Sequence, residues 1–280
     1  MPETPRIPLP RLPLGLPKPP LPALAALGLG ALPPLWREVR VALEAAALMR
    51  EPIFHGEGVS DGGGQPVLLV PGFLAGDDAF ALMTDWLRRT GHVPSRSGMR
   101  LNVDCSGASI KRLERQLEQL VEREGRRAAI IGHSRGGHLA KVLAVKRPEL
   151  VSGVVALGSP LLDPFAIHPL VRLQIELVGA LGSLGVPGLF GRACLDGDCC
   201  LEFWQRSLGR LPGDIGYVSV YSRSDGVVDW RACLDPHASH AEVDASHIGM
   251  SLSAQVYRTV AEALADFRRR TTPAAPAPAG

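Results

Sequence analysis

Residues 132–136 read Gly-His-Ser-Arg-Gly and directly follow the apolar run Ala128–Ile131. The residues after them favour a helix. A serine between small residues, at a tight turn from a strand into a helix, has its hydroxyl lifted clear of the sheet edge. A glycine-rich turn alone could have the same residues, but the flanking strand and helix favour a nucleophile. We therefore predict that Ser134 attacks an acyl carbon.

A serine hydroxyl is a weak nucleophile and needs a base within hydrogen-bond reach. We expect this base to be His247, in the loop before the final helix, and not His133, which lies beside the serine. Asp225 lies in the turn that ends a late predicted strand, where open α/β sheets place their chemistry. Its rival Asp229 is expected to order the loop or pair with an arginine. The order Ser134, Asp225, His247 along the chain predicts a proton-passing triad.

Four motifs give the chain a resemblance to a known family. They are Val70-Pro71-Gly72-Phe73, Gly132-His133-Ser134-Arg135-Gly136-Gly137, Tyr221-Ser222-Arg223-Ser224-Asp225-Gly226-Val227-Val228-Asp229 and Ser246-His247-Ile248-Gly249-Met250. Over about residues 36–268 the chain resembles the lipase- and esterase-like α/β-hydrolases, above all actinobacterial members. The resemblance implies an α/β-hydrolase fold: a mostly parallel sheet flanked by helices, with a helical cap insertion. It also implies a carboxylic ester hydrolase that works through an acyl-enzyme.

Two backbone N–H groups are needed to bind the oxyanion that forms during acyl transfer. One is expected from Arg135, the residue after the nucleophile. The resemblance places the other at Phe73, in the loop after an early strand, where Gly72 lets the peptide turn inward.

Residues 161–212 interrupt the alternation of strands and helices, between a core strand and the strand that precedes Asp225. Long insertions at such a place are more often functional than idle. We expect this cap to form an apolar lid over Ser134 that receives an acyl chain, which favours lipid-like or medium-chain esters. Ordinary helix packing is the alternative interpretation.

The five cysteines are an odd number in a chain of 280 residues, which does not indicate a disulfide framework. Three of them cluster in the cap: Cys194, Cys199 and Cys200. We favour one disulfide stapling the cap over zinc, because adjacent cysteines depart from the usual ligand spacing. We predict neither a metal nor any other cofactor.

The formal net charge is +2 and 21% of the residues are charged, which gives no electrostatic case for nucleic acid. We expect a small-molecule or lipid ester as the partner, leave peripheral membrane contact open, and find no indication of an obligate protein partner. A cytoplasmic location is favoured and secretion is left open.

The chain is predicted to divide into three regions. Residues 1–34 are a Pro-rich tail, because their proline spacing is incompatible with helix and sheet. Residues 35–270 are the catalytic domain, and residues 271–280 are an Ala/Pro tail.

A first helix is predicted ahead of Pro52, since apolar residues recur at helical spacing: Trp36, Val39, Leu43, Ala46 and Ala47. We expect its apolar residues to pack in the core.

Two alternatives to ester hydrolysis follow from the same residues. Acyl transfer to an alcohol or amine would use the same triad and exclude water. A catalytically silent scaffold that docks a partner through its Pro-rich end is the other, although an intact triad weighs against it.

Overall fold

A computed structural model of the protein describes residues 35–196 and 198–271. Within them a parallel sheet has the strand order β2-β1-β3-β4-β5-β6. The strands are β1 (Pro66–Val70), β2 (Val93–Arg96), β3 (Ala128–His133), β4 (Val151–Leu157), β5 (Gly216–Tyr221) and β6 (Ser239–Glu242). The predicted tail at 1–34 lies outside the described residues, as does the predicted tail at 271–280 except for Thr271, which ends the last helix. The predicted domain boundaries stay a prediction.

Helices cover both faces of the sheet. They are α1 (Val41–Leu48), α2 (Ala81–Arg89), α3 (Ser106–Glu124), α4 (Arg135–Lys146), α5 (Pro169–Ser183), α6 (Ala193–Asp196), α7 (Asp198–Ser207) and α8 (Ala254–Thr271). This is the α/β-hydrolase fold that the motifs predicted.

The apolar strands are buried because each of them contributes side chains to a hydrophobic core on both faces of the sheet. In β1, Val67 and Leu69 pack on the side of α2 and α8, whereas Leu68 and Val70 pack on the side of α3 and α4. Successive side chains of a strand point to opposite faces, so continuous apolar runs are required where both faces are covered.

The carboxyl ends of the parallel strands lie at one edge of the sheet, and the candidate residues follow these strand ends. Ser134 follows β3, Asp225 follows β5, and His247 comes after β6. The helices α5, α6 and α7 lie between β4 and β5, so the chain has the predicted helical cap insertion.

The first helical segment differs from the prediction. Residues Leu35–Arg40 form a 3₁₀ helix that runs into α1. Trp36, Val39 and Leu43 are 70%, 79% and 73% exposed, so the expected core packing is wrong.

The physical reason lies on the other side of this segment. Its Glu38 and Glu44 carboxylates accept backbone N–H groups from the loop of His247. Helical spacing predicts one apolar face, but it does not say that this face meets the body of the protein.

No described helix is both long and apolar enough to cross a lipid bilayer.

Candidate active site

Ser134 holds a backbone conformation that few residues adopt. Its φ is 51° and its ψ is −119°, at the point where β3 turns into α4. Non-glycine residues rarely have a positive φ, and such strain concentrates at functional sites. The Ser134 N–H donates to the carbonyl of Leu157 at 2.8 Å, which fixes the turn against the end of β4.

The glycines around Ser134 are required by close backbone approach. A Cβ at Gly132 would overlap the carbonyl of Gly136, and a Cβ at Gly136 would overlap the carbonyl of Val70. The turn from strand to helix can therefore form only when both positions lack a side chain.

The side chains of His247 and Asp225 are hydrogen-bonded to each other. The Nδ1 of His247 lies 2.8 Å from Oδ2 of Asp225. The other carboxylate oxygen of Asp225 accepts the N–H groups of Val227 at 2.8 Å and Val228 at 2.7 Å. With Nδ1–H donated to Asp225, the Nε2 of His247 is left as the proton acceptor.

The environment of His247 favours its protonated form. Burial lowers its pKa, but the charge and hydrogen bond of Asp225, together with the charge of Glu38, outweigh that effect. The pKa of His247 therefore lies above its ordinary value of 6.5.

The imidazole of His247 lies close to the serine turn on two sides. Its ring centroid is 4.7 Å from that of His133, the residue before Ser134. A Cβ added at Gly158, next to the carbonyl that holds the Ser134 N–H, would lie 3.2 Å from Nδ1 of His247. The loop of His247 thus lies against the turn that carries Ser134.

His133 is a neighbour that sequence reasoning set aside. Its Nε2 donates to the main-chain carbonyl of His247 at 2.9 Å. Burial, and then the nearby charge of His247, lower the pKa of His133 to about 3, so the ring stays neutral. His133 ties the loop of His247 to the end of β3.

Asp229 faces a different partner. Its Oδ1 accepts the N–H of Arg231 at 3.0 Å and lies 3.3 Å from the Nη1 of the same arginine. It caps the short 3₁₀ helix Trp230–Cys233.

The loop after β1 lies against Ser134. A Cβ at Gly72 would be 3.3 Å from Cβ of Ser134. The side chain of Asn102 donates to the carbonyl of Pro71 at 2.7 Å and so fixes the loop from outside. Among the described residues, the Phe73 N–H has no acceptor.

Arg135 contributes a partly buried guanidinium that the sequence did not reveal. It donates to the carbonyl and side-chain oxygens of Asn102 at 2.9 and 2.5 Å, and to the carbonyl of Asp104 at 2.6 Å. Burial lowers the pKa of Arg135 to about 10, which still leaves it charged at neutral pH. Arg135 thereby holds Asn102, and through it the loop of Pro71.

Ser134 opens into a cleft of about 880 Å³, part of which is open to solvent. Its walls are mostly apolar, and the cap supplies many of them. Examples are Phe165, Ile167, Val171, Ile175, Phe190 and Phe203.

Two further predictions concern metal binding and a disulfide in the cap. Within the described part of the chain, no three His, Cys, Asp or Glu side chains are grouped so as to hold a metal. The side chains of Cys199 and Cys200 lie outside the described part, so the cap disulfide stays a prediction.

Comparison with known families decides the class of the protein. The family model named Esterase matches residues 110–254, a stretch that includes Ser134, Asp225 and His247. The chain belongs to the esterase family. This esterase is a carboxylic ester hydrolase; its likeness to actinobacterial members in particular stays a prediction.

Solved structures share the fold of this esterase at low sequence identity. The Bacillus licheniformis lipase BlEst2 in mature form has a TM-score of 0.54 and 14% identity, over 74% of this chain and 94% of that chain. A monoacylglycerol lipase of Paleococcus ferrophilus has a TM-score of 0.51 and 14% identity, over 73% and 96%. A soluble variant of the Saccharomyces cerevisiae monoglyceride lipase has a TM-score of 0.52 and 18% identity, over 78% and 89%. A search of curated proteins gives no significant match.

Proposed function

We propose that this esterase cleaves esters of apolar acyl chains through an acyl-enzyme on Ser134, with His247 as the base and Asp225 as its partner. The observation that carries the proposal is the buried contact between His247 Nδ1 and Asp225 Oδ2 at 2.8 Å, with the His247 ring centroid 4.7 Å from that of His133, the residue before the strained serine.

In the first half of the reaction, Ser134 Oγ attacks the acyl carbon and passes its proton to Nε2 of His247. Asp225 stabilises the imidazolium that forms. The oxyanion of the tetrahedral intermediate is bound by the backbone N–H groups of Phe73 and Arg135.

The intermediate then collapses. His247 returns the proton to the leaving alcohol, and the acyl group stays on Ser134. Water attacks this ester with His247 again as base, which releases the acid and restores the serine.

The cleft supports an apolar acyl chain. Cap residues Val171 and Ile175, one helical turn apart on α5, face it together with Ser134. On the outer side of the same helix, Leu170, Leu173 and Leu177 are 53%, 60% and 59% exposed. Apolar surface continuing from the cleft to the outside suits a substrate that is itself apolar.

The acyl preference is tested with nitrophenyl esters graded from acetyl to dodecanoyl. Each buried methylene is worth about 0.8 kcal/mol, or about fourfold in kcat/KM, until the cleft is full. Ile175→Trp fills the cleft and is expected to move the preference to shorter chains. Leu173→Trp on the exposed side of α5 is the matched control and should keep the wild-type preference. The same length profile in both variants would contradict the assigned acyl cleft.

Hydrolysis is separated from acyl transfer by product analysis. Turnover in the presence of a competing alcohol should still yield mainly free acid if water enters the site. A dominant transfer product would replace hydrolysis with acyl transfer on the same triad.

A further inference from the structure

Two carboxylates from the start of the described chain hold the loop of the proposed base. Glu38 Oε1 accepts the N–H of His247 at 2.8 Å, and its Oε2 accepts the N–H of Ile248 at 2.9 Å. Glu44 accepts the N–H of Ser246 at 2.8 Å and the Ser246 hydroxyl at 2.5 Å. The backbone N–H groups of residues 246, 247 and 248 therefore all donate to carboxylates of one helical segment, residues 35–48.

Glu38 also reaches the loop of the acid. Its Oε1 accepts the N–H of Gly226, the residue after Asp225, at 3.0 Å. One carboxylate thus joins the two loops that carry the imidazole and its partner.

These contacts join parts of the chain that are distant in sequence. Glu38 is separated from His247 by 209 residues and from Gly226 by 188. His247 directly precedes the 3₁₀ helix Ile248–Leu252, and Glu38 accepts the first N–H group of this helix.

We propose that Glu38 is a positioning residue of the esterase: it fixes the loops of His247 and Asp225 relative to each other and presents a negative charge to the imidazole. Glu44 supports it by holding Ser246. The inference rests on the triad proposed above, and it makes residues 35–48 part of the active-site framework.

The charged and titratable groups that face His247 come from three elements. Asp225 lies on the loop after β5, His133 at the end of β3, and Glu38 on the first helical segment, while Glu44 of α1 holds the neighbouring Ser246. His133 is held neutral. The negative charges of Asp225 and Glu38 both raise the pKa of His247, so loss of the Glu38 charge must lower it.

The test uses the full chain with Glu38→Gln, Glu38→Asp and Glu38→Ala. Glu38→Gln keeps the shape and removes the charge. It is expected to move the acidic limb of the kcat/KM profile to lower pH and to reduce kcat roughly tenfold, with little change in KM. Glu38→Asp retains the charge, so its acidic limb should stay near that of the wild type while kcat falls. Glu38→Ala should lower kcat furthest.

The matched control is Glu51→Gln, which removes a nearby carboxylate that pairs with Arg258 instead of the triad loops. It should leave kcat and the pH profile unchanged. Thermal unfolding of each variant identifies any that fail to fold, in which case Glu38→Gln and Glu38→Asp still decide the result. A purely structural role would lower stability without moving the acidic limb.

Two outcomes separate this inference from the proposed function. If Ser134→Ala abolishes turnover but Glu38→Gln has the wild-type kcat and acidic limb, the role of Glu38 is overturned and the triad stands. If Ser134→Ala retains turnover, the triad itself is overturned, and the positioning role with it.

Discussion

His247 and Asp225 form a buried pair in which one carboxylate oxygen binds the imidazole and the other binds the backbone. Their side chains are only 6% and 1% exposed, and Nδ1 and Oδ2 are 2.8 Å apart. Because two backbone N–H groups occupy the other oxygen of Asp225, the carboxylate cannot rotate away from the ring. The imidazole is therefore held in one orientation, with Nε2 directed away from the acid.

This pair predicts the pH dependence of activity. The base must be neutral to accept the serine proton, so activity falls as the pH drops through the pKa of His247. Since that pKa is raised above 6.5, the midpoint of the acidic limb of kcat/KM should lie above pH 6.5. A profile that stays flat down to about pH 5 would contradict the base assignment.

Asp225→Asn tests the same pair from the other side. Loss of the negative charge leaves burial as the main effect on His247, so the acidic limb should move to lower pH. The amide also favours the wrong tautomer, and kcat should fall by about 10⁴-fold. The measurement is the full pH–rate profile, with Asp229→Asn as the matched control, which should retain most activity.

The serine turn should not tolerate a side chain at Gly136. In Gly136→Ala the new methyl group meets the carbonyls of Val70 and Pro71, which should cost about 1–3 kcal/mol of unfolding free energy and most of the activity. Gly213→Ala is the control, because a Cβ at Gly213 meets nothing within 4 Å. Equal stability of the two variants would show that the turn is less tightly packed than described.

Asn102 is predicted to act on catalysis through the loop of Pro71. Asn102→Ala removes the 2.7 Å hydrogen bond to the Pro71 carbonyl and the side-chain acceptor of Arg135, while the main-chain carbonyl of residue 102 still accepts from Arg135. Because an oxyanion donor acts mainly in the transition state, kcat and kcat/KM should fall together, by roughly tenfold or more. A rise in KM at unchanged kcat would place the role of Asn102 in substrate binding.

The ion pair between Lys141 and Asp235 should matter for stability. Both side chains are 3% exposed, the two charged atoms are 2.5 Å apart, and Tyr217 donates to the same carboxylate at 3.0 Å. Lys141→Met leaves the buried Asp235 carboxylate without its ion-pair partner and should cost about 3–5 kcal/mol of unfolding free energy. Arg206→Met breaks an exposed pair with Glu202 and should cost under about 1 kcal/mol in the same denaturant titration.

The sequence predicted the parts of the fold that rest on local pattern. The late strand ahead of Asp225 was predicted, and it is β5 (Gly216–Tyr221) in the structure, because its β-forming residues end in a clear turn. β2 was missed, since it is a four-residue edge strand that contains Pro94 and buries no residue fully. Such a strand has neither the length nor the apolar alternation that sequence reasoning depends on.

The candidate site likewise contains residues that the sequence could predict and one that it could not. Ser134, Asp225 and His247 could be named from the sequence because each follows a strand with a characteristic turn. Glu38 could not, because its contacts span about two hundred residues and its neighbours Trp36 and Val39 indicated a buried apolar face. Carboxylates that accept distant backbone N–H groups leave no periodic pattern in the sequence.

The central claim is tested most directly by mapping the residue that a fluorophosphonate probe modifies. Mass spectrometry of the digested protein should show one adduct, on Ser134, that disappears in Ser134→Ala together with ester turnover, while the thermal unfolding of the variant stays close to that of the wild type. Ester turnover without an adduct on Ser134, or undiminished turnover by Ser134→Ala, would contradict the account.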